Sequence, residues 1–516
     1  MAPGNTSSPQ LSSPDLTSGN SSLHEKNDGI QIFTWDGPGD KRCPHNWSEK
    51  KKWLIASISL IGTFILPLNG TGITIAADEL ATTFDFKDTA WFTPSYWIVT
   101  SWSAGGALFV IICMPMLEEL GVRRTYLAFY IFFILMVIPQ AVAQNYETLI
   151  ITRFFSGGCA AFLANAISSI IPDLWSTDKK RSVPVAIYIL LYVVGNSFGP
   201  TIFAAIIPAT GNWRWVFYVQ LIVYCAFLPL FAFGIKETRH EILLQRYAKQ
   251  MRKETGLQIY TLGELDKTPA WKRITKAQIR PLYLLFTEPL LFFCTLWSAF
   301  AFGNVFVFTQ SVEFVFSQAY GFNQAQCGYI QAAIVIGEIL GFFGNLYNIR
   351  PYLESAKRNK EHPGEPIPEA RLYVAIVGTF IGIVGGMLVY AWTTFSGGPW
   401  IAPAVGLAMV GFGIQIVVAA AADYIIDAYA ISGWAGSAIS AAAACENLSA
   451  GFLPLSTQAM YTRLGIHWAS TLLAGTALLV GLAPVVFLFY GRKMRESSKC
   501  NRKGMDELKQ EDEEKN

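Results

Sequence analysis

Three ionisable side chains stand in stretches that are otherwise almost free of charge. They are Arg153 in Thr152-Arg153-Phe154, Glu338 in Ile336-Gly337-Glu338, and Glu446 in Ala444-Cys445-Glu446-Asn447. Taking such a group out of water is costly, so each marks a place where the chain does something with charge. Burial disfavours the ionised form of a carboxyl group, so a buried glutamate can take up and release a proton near neutral pH. That is the chemistry of proton coupling. Arg153 keeps its charge and must find an acid, an amide or main-chain carbonyls. The plainer alternatives are a protonated glutamic acid bonded to a neighbouring helix and an arginine that clamps two helices together. Asn69, Asn447, Gln310 and Gln415 add neutral hydrogen-bonding groups and Trp97 an aromatic wall, the makings of a small-molecule pocket. The plainer reading of each is a packing contact between helices.

Other chemistry is thin. The five histidines fall in tails or loops without an acidic partner, and the eight cysteines are scattered with no CxxC pair or Cys/His cluster. The cysteines read as small apolar packing residues. The expectation is no enzyme, no metal and no cofactor.

The elements that hold these residues follow from composition. Of 516 residues, 52% are hydrophobic and only 15% charged, against roughly 25% charged in an average soluble protein. A soluble chain of this length needs more charge to cover its surface. Net charge is +2, which points to neither nucleic acid nor an acidic partner. A spanning helix needs ~20 mainly apolar residues. Twelve such runs lie near 53–77, 91–115, 124–143, 147–171, 183–207, 214–235, 286–311, 327–348, 372–393, 400–423, 434–457 and 467–490. The first starts after a long polar stretch, unlike a signal peptide.

Lys and Arg alternate between the two sides of these runs. One side receives Lys50 to Lys52, Arg123 and Arg124, Lys179 to Arg181, Arg350, Lys357 and Arg358, and Arg492 to Arg495. The other receives Lys87, Arg214 and Arg463. By the positive-inside rule both termini are cytoplasmic. The expected architecture is all-α, with twelve transmembrane helices in two six-helix halves. Its parts are a disordered tail over 1–52, halves over 53–235 and 286–490, a connecting segment over 236–285, and a tail over 491–516. Two halves around a midplane site is a layout of secondary transporters. In the connecting segment, Leu243, Leu244, Tyr247 and Met251 follow a helical period and predict an amphipathic helix on the inner leaflet or a solvated linker helix.

Several stretches resemble the major facilitator superfamily, and within it the fungal drug:proton antiporter branch with twelve spans. Cys43-Pro-His-Asn-Trp-Ser48 and Lys50 to Trp53 resemble its pre-membrane signature. Arg153-Phe-Phe-Ser-Gly157 resembles the fourth-span RxxxG motif, Gly195-Asn-Ser-Phe-Gly199-Pro200 the fifth-span GxxxGP motif, and Asn212-Trp-Arg-Trp-Val-Phe217 the start of span six. Met114 to Arg124 resembles the loop between spans two and three, with Glu118 in the place of its acid and Gly121 and Arg123 kept. Glu119 stands where that loop has a basic residue, and Phe203-Ala204 where the fifth span has glycines. The resemblance implies gating roles for Glu118, Gly121, Arg123, Gly195, Gly199 and Pro200. It also implies that Arg153 serves proton coupling or holds span one.

The resulting expectation is an exporter of a small organic compound, a drug, toxin or secondary metabolite, by proton antiport with alternating access. It would be a functional monomer in the cell membrane. The implied partners are the small-molecule substrate, protons and the lipid bilayer, with no nucleic acid. The alternative is a carrier of organic acids, polyamines or nutrients on the same fold.

Overall fold

Apolar runs of this length become helices because a bilayer offers the backbone no hydrogen-bond partner but itself. The computed structural model describes residues 23–498 and 500, apart from 27–29, 38, 90–92, 266–268, 360–363, 365 and 431. The chain forms two units, Ser48–Arg239 with Pro269–Asn516, and Met1–Trp47 with His240–Thr268.

The larger unit holds the spans. Span 1 is Glu49–Phe84, span 2 Pro94–Leu120, span 3 Val122–Ala141, span 4 Tyr146–Leu174 and span 6 Arg214–Gly234. Span 7 is Pro289–Tyr320, span 8 Gln324–Arg358, span 9 Pro368–Thr393 and span 10 Ile401–Ala428. Span 5 is a bent pair, Lys180–Ser197 and Gly199–Thr210, meeting at 49°. A helical stretch of 63 residues, Ala435–Ser497, follows. One crossing takes ~20 residues, so this stretch is long enough for two. Gly465, at φ 76° and ψ 169°, interrupts it. Spans 11 and 12 are the parts before and after that break. Undivided, the stretch leaves ten crossing helices among the described residues, or eleven with the bent pair. Span 1 begins and span 12 ends on what is called the terminal face below.

Polar side chains are buried among apolar ones in the interior, and large apolar side chains also cover the outer surface. Asn69, Arg153, Glu338 and Gln415 are fully buried, whereas Phe233, Leu479 and Phe489 are each more than 70% exposed. Without a hydrophobic drive between helices, close packing holds the bundle. Spans 9 and 10 show how: a Cβ on Gly382 would meet the Gly413 Cα at 2.6 Å.

Span 1 is broken at Pro67, where the helix Glu49–Ile65 gives way to Leu68–Thr71 and a 3₁₀ turn, Gly72–Ala76. Proline has no N–H to donate and clashes with the preceding turn.

The helix Ala270–Thr287 leads into span 7. It exposes Trp271, Ile279, Leu282, Tyr283 and Phe286 along one stripe, which continues into exposed Phe292, Phe293 and Leu296. Its other face is tied to span 2: Arg273 pairs with Glu119 at 2.7 Å, and Gln278 Nε2 donates to the Ile112 carbonyl at 2.9 Å.

The smaller unit changes the reading of the tail and of the connecting segment. Leu23–Lys26 pairs antiparallel with Ile30–Phe33, which pairs in parallel with Ile259–Tyr260. Phe33, Ala248 and Ile259 form a core on which Leu244, Tyr247 and Met251 pack. The apolar stripe of the helix His240–Thr255 is therefore used within the unit, and the interfacial pattern belongs to Ala270–Thr287 instead. Of the segment expected to be a disordered tail, 23–26, 30–37 and 39–52 are described and carry strands, turns and the start of span 1; residues 1–22 lie outside the described ones, as do 501–516 of the other tail.

Asp40 anchors this unit. It accepts from Arg42 Nε at 2.9 Å and from the Arg42 main-chain N–H at 2.8 Å, while the guanidinium covers Phe33 at 5.3 Å. Burial opposes the charge, but these donors outweigh it and hold the carboxyl below its ordinary value of 3.8. A lowered value stabilises the fold above the ordinary one, and the gain is lost as pH falls through the folded value. Asp40→Asn should speed hydrogen exchange over 30–47 about tenfold at pH 7, for a charge-assisted bond worth ~1.5 kcal/mol. At the acid end of the exchange range the two proteins should converge. Equal protection at pH 7 would remove Asp40 from this role.

Candidate functional site

Arg153 is positioned by the break in span 1. The helix interruption frees carbonyls that no downstream N–H reaches. Arg153 Nη1 donates to the Asn69 carbonyl at 3.1 Å and Nη2 to the Gly70 carbonyl at 2.6 Å. Its Nε donates to the Ile98 carbonyl of span 2 at 2.7 Å. All three partners are main-chain oxygens on two other spans. The geometry is that of a clamp, the plainer of the two readings. Asn69 lies beside it in a network internal to the first half: its Nδ2 donates to Gln220 at 2.7 Å, and Gln140 Nε2 donates to Ser156 Oγ at 2.8 Å.

Glu446 sits differently. It is 7% exposed and lies on span 11, where the Ser298 hydroxyl of span 7 donates to Oε1. Tyr188 and Tyr192 of span 5 lie within electrostatic reach of the same carboxyl group. The Tyr188 hydroxyl donates to Asn165 Oδ1 of span 4 at 2.9 Å, and the Tyr192 ring stacks on Phe302 of span 7 at 5.4 Å. Tyr188 and Tyr192, like Ser298 and Phe302, are four residues apart on one helix and so share a face. Asn447 adjoins Glu446, and glycine at 106 makes room for it: a Cβ there would lie 2.6 Å from Asn447 Oδ1. The cluster thus joins spans 4 and 5 of the first half to spans 7 and 11 of the second. It combines a carboxyl, two phenols, two amides and an aromatic stack.

Glu338 makes a second contact between the halves. It is fully buried on span 8, and the Ser197 hydroxyl of span 5 donates to Oε1. Oε2 has no partner. Ser197 stands at the bend of span 5, just before Gly199 and Pro200. A Cβ on Gly195 would meet the Phe64 carbonyl oxygen at 2.7 Å, and one on Gly199 the Gly72 nitrogen at 2.7 Å, so both seat span 5 against span 1. Gly341 seats span 8 against the Phe412 carbonyl of span 10 in the same way, also at 2.7 Å.

At the terminal face, a cavity of about 350 Å³ lies between the halves. Ser168, Val185 and Ser440 line it, each within two turns of the Glu446 cluster along its own helix. Charged groups line its mouth in two sets. In the first half Arg239 reaches Asp173 at 3.5 Å and Glu118 at 3.6 Å. In the second, Arg371 reaches Asp423 at 2.9 Å and Asp427 at 3.1 Å, with its guanidinium 3.5 Å over the Tyr352 ring. Gly121, at φ 88°, ends span 2, and the next N–H, of Val122, donates to Glu237 at 2.9 Å. Arg123 donates to the Ala232 carbonyl at 3.3 Å. The opposite face is bound shut by bonds between the halves. Tyr96 Oη donates to the Phe306 carbonyl at 3.0 Å, Thr100 Oγ1 to the Gly451 carbonyl at 2.9 Å, and Thr201 Oγ1 to the Gly328 carbonyl at 2.9 Å.

Of the residues singled out in the sequence, Glu446 and Asn447 meet in the cluster, and Glu118 lines the cavity. Gln415 is buried between spans 8 and 10, with both amide atoms unpartnered. Gln310 is on span 7 with an unpartnered Oε1, and Trp97 packs edge-on against Phe452 at 6.5 Å. None of these three hydrogen-bonds to Glu446. Asn165, Tyr188, Tyr192 and Ser298 were missed. Nothing marks a tyrosine or serine in an apolar run as polar contact rather than packing until the neighbouring helix is known.

The model of the Major Facilitator Superfamily matches residues 59–436. Efflux pump atB of Aspergillus terreus is 30% identical over 502 residues, 95% of each chain. MFS transporter cpaT of Aspergillus oryzae is 32% identical over 467 residues, 90% of this chain and 92% of that one. The major facilitator superfamily multidrug transporter FLU1 of Candida albicans is 28% identical over 476 residues, 91% of this chain and 76% of that one. Among solved structures, the human organic anion transporter MFSD10 (TETRAN) matches 84% of this chain and 99% of its own at TM-score 0.53 and 14% identity, a likeness of fold.

Proposed function

The chain belongs to the major facilitator superfamily, and on that premise we propose that it exports a small organic compound, a drug or secondary metabolite, in exchange for protons. The terminal face is cytoplasmic in this reading, as the loop lysines and arginines favour, and the membrane is the plasma membrane. The observation that carries the reading is the Glu446 cluster. It places one carboxyl among hydrogen-bonding and aromatic side chains from both halves, at the inner end of a cavity open to one face only. Relatives named as an efflux pump and a multidrug transporter support the same direction of transport.

Substrate arrives through the cavity and meets the ring stack of Tyr192 and Phe302. Ionised Glu446 accepts hydrogen bonds from substrate and from Ser298; protonated Glu446 is neutral and releases them. Proton and substrate therefore compete for one carboxyl, and the halves rock about the site. The Ser197–Glu338 bond helps to hold the outward side closed. Ser197→Ala removes one neutral hydrogen bond, ~1 kcal/mol. It should shift the balance between the two states about fivefold, read as labelling of cysteines placed at either mouth. Unchanged labelling would dismiss the latch.

The test of function is efflux of hydrophobic dyes and fungal metabolites from yeast lacking its own exporters, with and without a protonophore. Efflux that collapses with the protonophore supports proton exchange. Efflux that survives it points to facilitated diffusion. No efflux, with the protein at the surface, favours the organic-acid, polyamine or nutrient carrier.

A further inference from the structure

Four arginines, Arg181, Arg239, Arg280 and Arg371, line the cavity at the terminal face. Arg239 and Arg371 each hold two carboxylates. Arg280, on the helix Ala270–Thr287, lines the same cavity. Its guanidinium stands 5.1 Å over the ring of Trp434, the residue that opens span 11. Its Nε is buried without a hydrogen-bond partner. The four acids of the cavity wall are each paired with another arginine, Glu118 and Asp173 with Arg239, Asp423 and Asp427 with Arg371.

A guanidinium that stacks on an aromatic face keeps its in-plane N–H groups for a ligand, and their fork matches the two oxygens of a carboxylate. A buried N–H left unpaired is costly, so a group that completes it is favoured over one that does not. The cavity volume of about 350 Å³ falls within the range of small-molecule pockets. Most of the wall beside Arg280 is uncharged: Ala277, Pro281, Ile439 and Met114 supply an apolar surface for the body of such a ligand.

We propose that Arg280, stacked on Trp434, is the docking point for the carboxylate of an amphipathic organic acid, so that the exported compounds include organic anions. The inference rests on the exporter reading above for its direction, but the binding claim stands by itself. Trp434 and Glu446 are twelve residues apart on span 11, or ~18 Å along a helix. The docked charge is thus well removed from the carboxyl assigned to protons. Arg280 selects at the mouth; it does not couple. Its loss should therefore raise KM for acids and leave the maximal rate and the proton dependence in place.

The test uses three probes with one ring system: 1-naphthoate, 1-naphthamide and 1-naphthylmethylamine. Binding to the purified full-length protein in phosphatidylcholine nanodiscs is measured by titration calorimetry, for the wild type, Arg280→Gln and Arg280→Lys. The wild type should prefer naphthoate to naphthamide by tenfold or more. Arg280→Gln should erase the preference by weakening naphthoate far more than naphthamide, and a monodisperse profile in nanodiscs certifies its fold. Arg280→Lys keeps the charge without the fork and should fall between. Equal binding of acid and amide by the wild type, or a preference that survives Arg280→Gln, overturns the docking site. Transport of the same probes in vesicles separates the two readings. Preference in binding with no transport of any probe upholds the docking site and defeats the exporter. Transport of acid and amide with equal KM in wild type and variant upholds the exporter and defeats the docking site.

Discussion

Arg153→Met is expected to remove most of the protein from the membrane fraction. Methionine fills comparable volume but donates nothing. The carbonyls of Asn69, Gly70 and Ile98 would each lose a charge-assisted bond of 2.6–3.1 Å in a fully buried site. Ile98 keeps another donor, the Ser101 hydroxyl at 3.1 Å, within the helix Pro94–Leu120. Asn69 and Gly70 stand at the change from Leu68–Thr71 to the 3₁₀ turn and lose their donors outright. An unsatisfied buried group costs ~1–3 kcal/mol, so the two together take a large share of the ~5–15 kcal/mol that separates a folded domain from its unfolded state. Arg153→Lys keeps a cation but reaches one or two carbonyls at most, and should recover part of the abundance. The measurement is monodisperse protein after mild solubilisation, beside efflux per molecule recovered. A clamp affects abundance first. If Arg153→Met were as abundant and monodisperse as the wild type, with transport alone abolished, the clamp would be the wrong description and a coupling role the right one.

The contrast between Arg153 and Glu446 marks what the sequence can and cannot convey. Both stand out as charges in apolar runs, and hydropathy alone ranks them equally. Their roles separate only when partners are known. Arg153 finds main-chain oxygens, two of them where span 1 changes from Leu68–Thr71 to a 3₁₀ turn; Glu446 finds the Ser298 hydroxyl of another span. The apolar helices were legible, though the twelve runs appear as ten crossing helices, or eleven with the bent pair, among the described residues; length and apolarity are imposed by the bilayer. Legible too were Gly195 and Gly199, motif glycines that seat span 5 against span 1. The amphipathic surface was legible in kind but placed one helix too early. Period and composition describe the apolar stripe of His240–Thr255 well, yet give no sign that Phe33 and Ile259 cover it. Glu119 was read as a departure from the loop between spans 2 and 3. Its partner, Arg273, is 154 residues away, beyond any local pattern. The two charge sets at the cavity mouth were missed for the same reason.

Glu446→Gln should abolish accumulation against a gradient while sparing movement down one. The amide is the same size, still accepts from Ser298, and cannot release a proton. A pH difference of one unit corresponds to about 1.4 kcal/mol, a factor of ten. For one proton exchanged per substrate, wild-type protein in inside-out vesicles with that gradient should concentrate substrate up to ~tenfold. The variant should stop at equal concentrations on the two sides, with exchange of labelled for unlabelled substrate continuing. Glu446→Asp retains the titrating group on a shorter stem and should keep coupling at a lower rate. Glu338→Gln is the matched comparison, because Glu338 is also buried and likewise accepts from one serine of another span. Its amide should leave accumulation near tenfold and alter the rate, since Glu338 is assigned to the latch with Ser197. The reverse pattern, coupling lost in Glu338→Gln and kept in Glu446→Gln, would move the proton to span 8. Loss in both would mean that one proton path runs through both carboxyls, and the competition at Glu446 alone would no longer account for exchange.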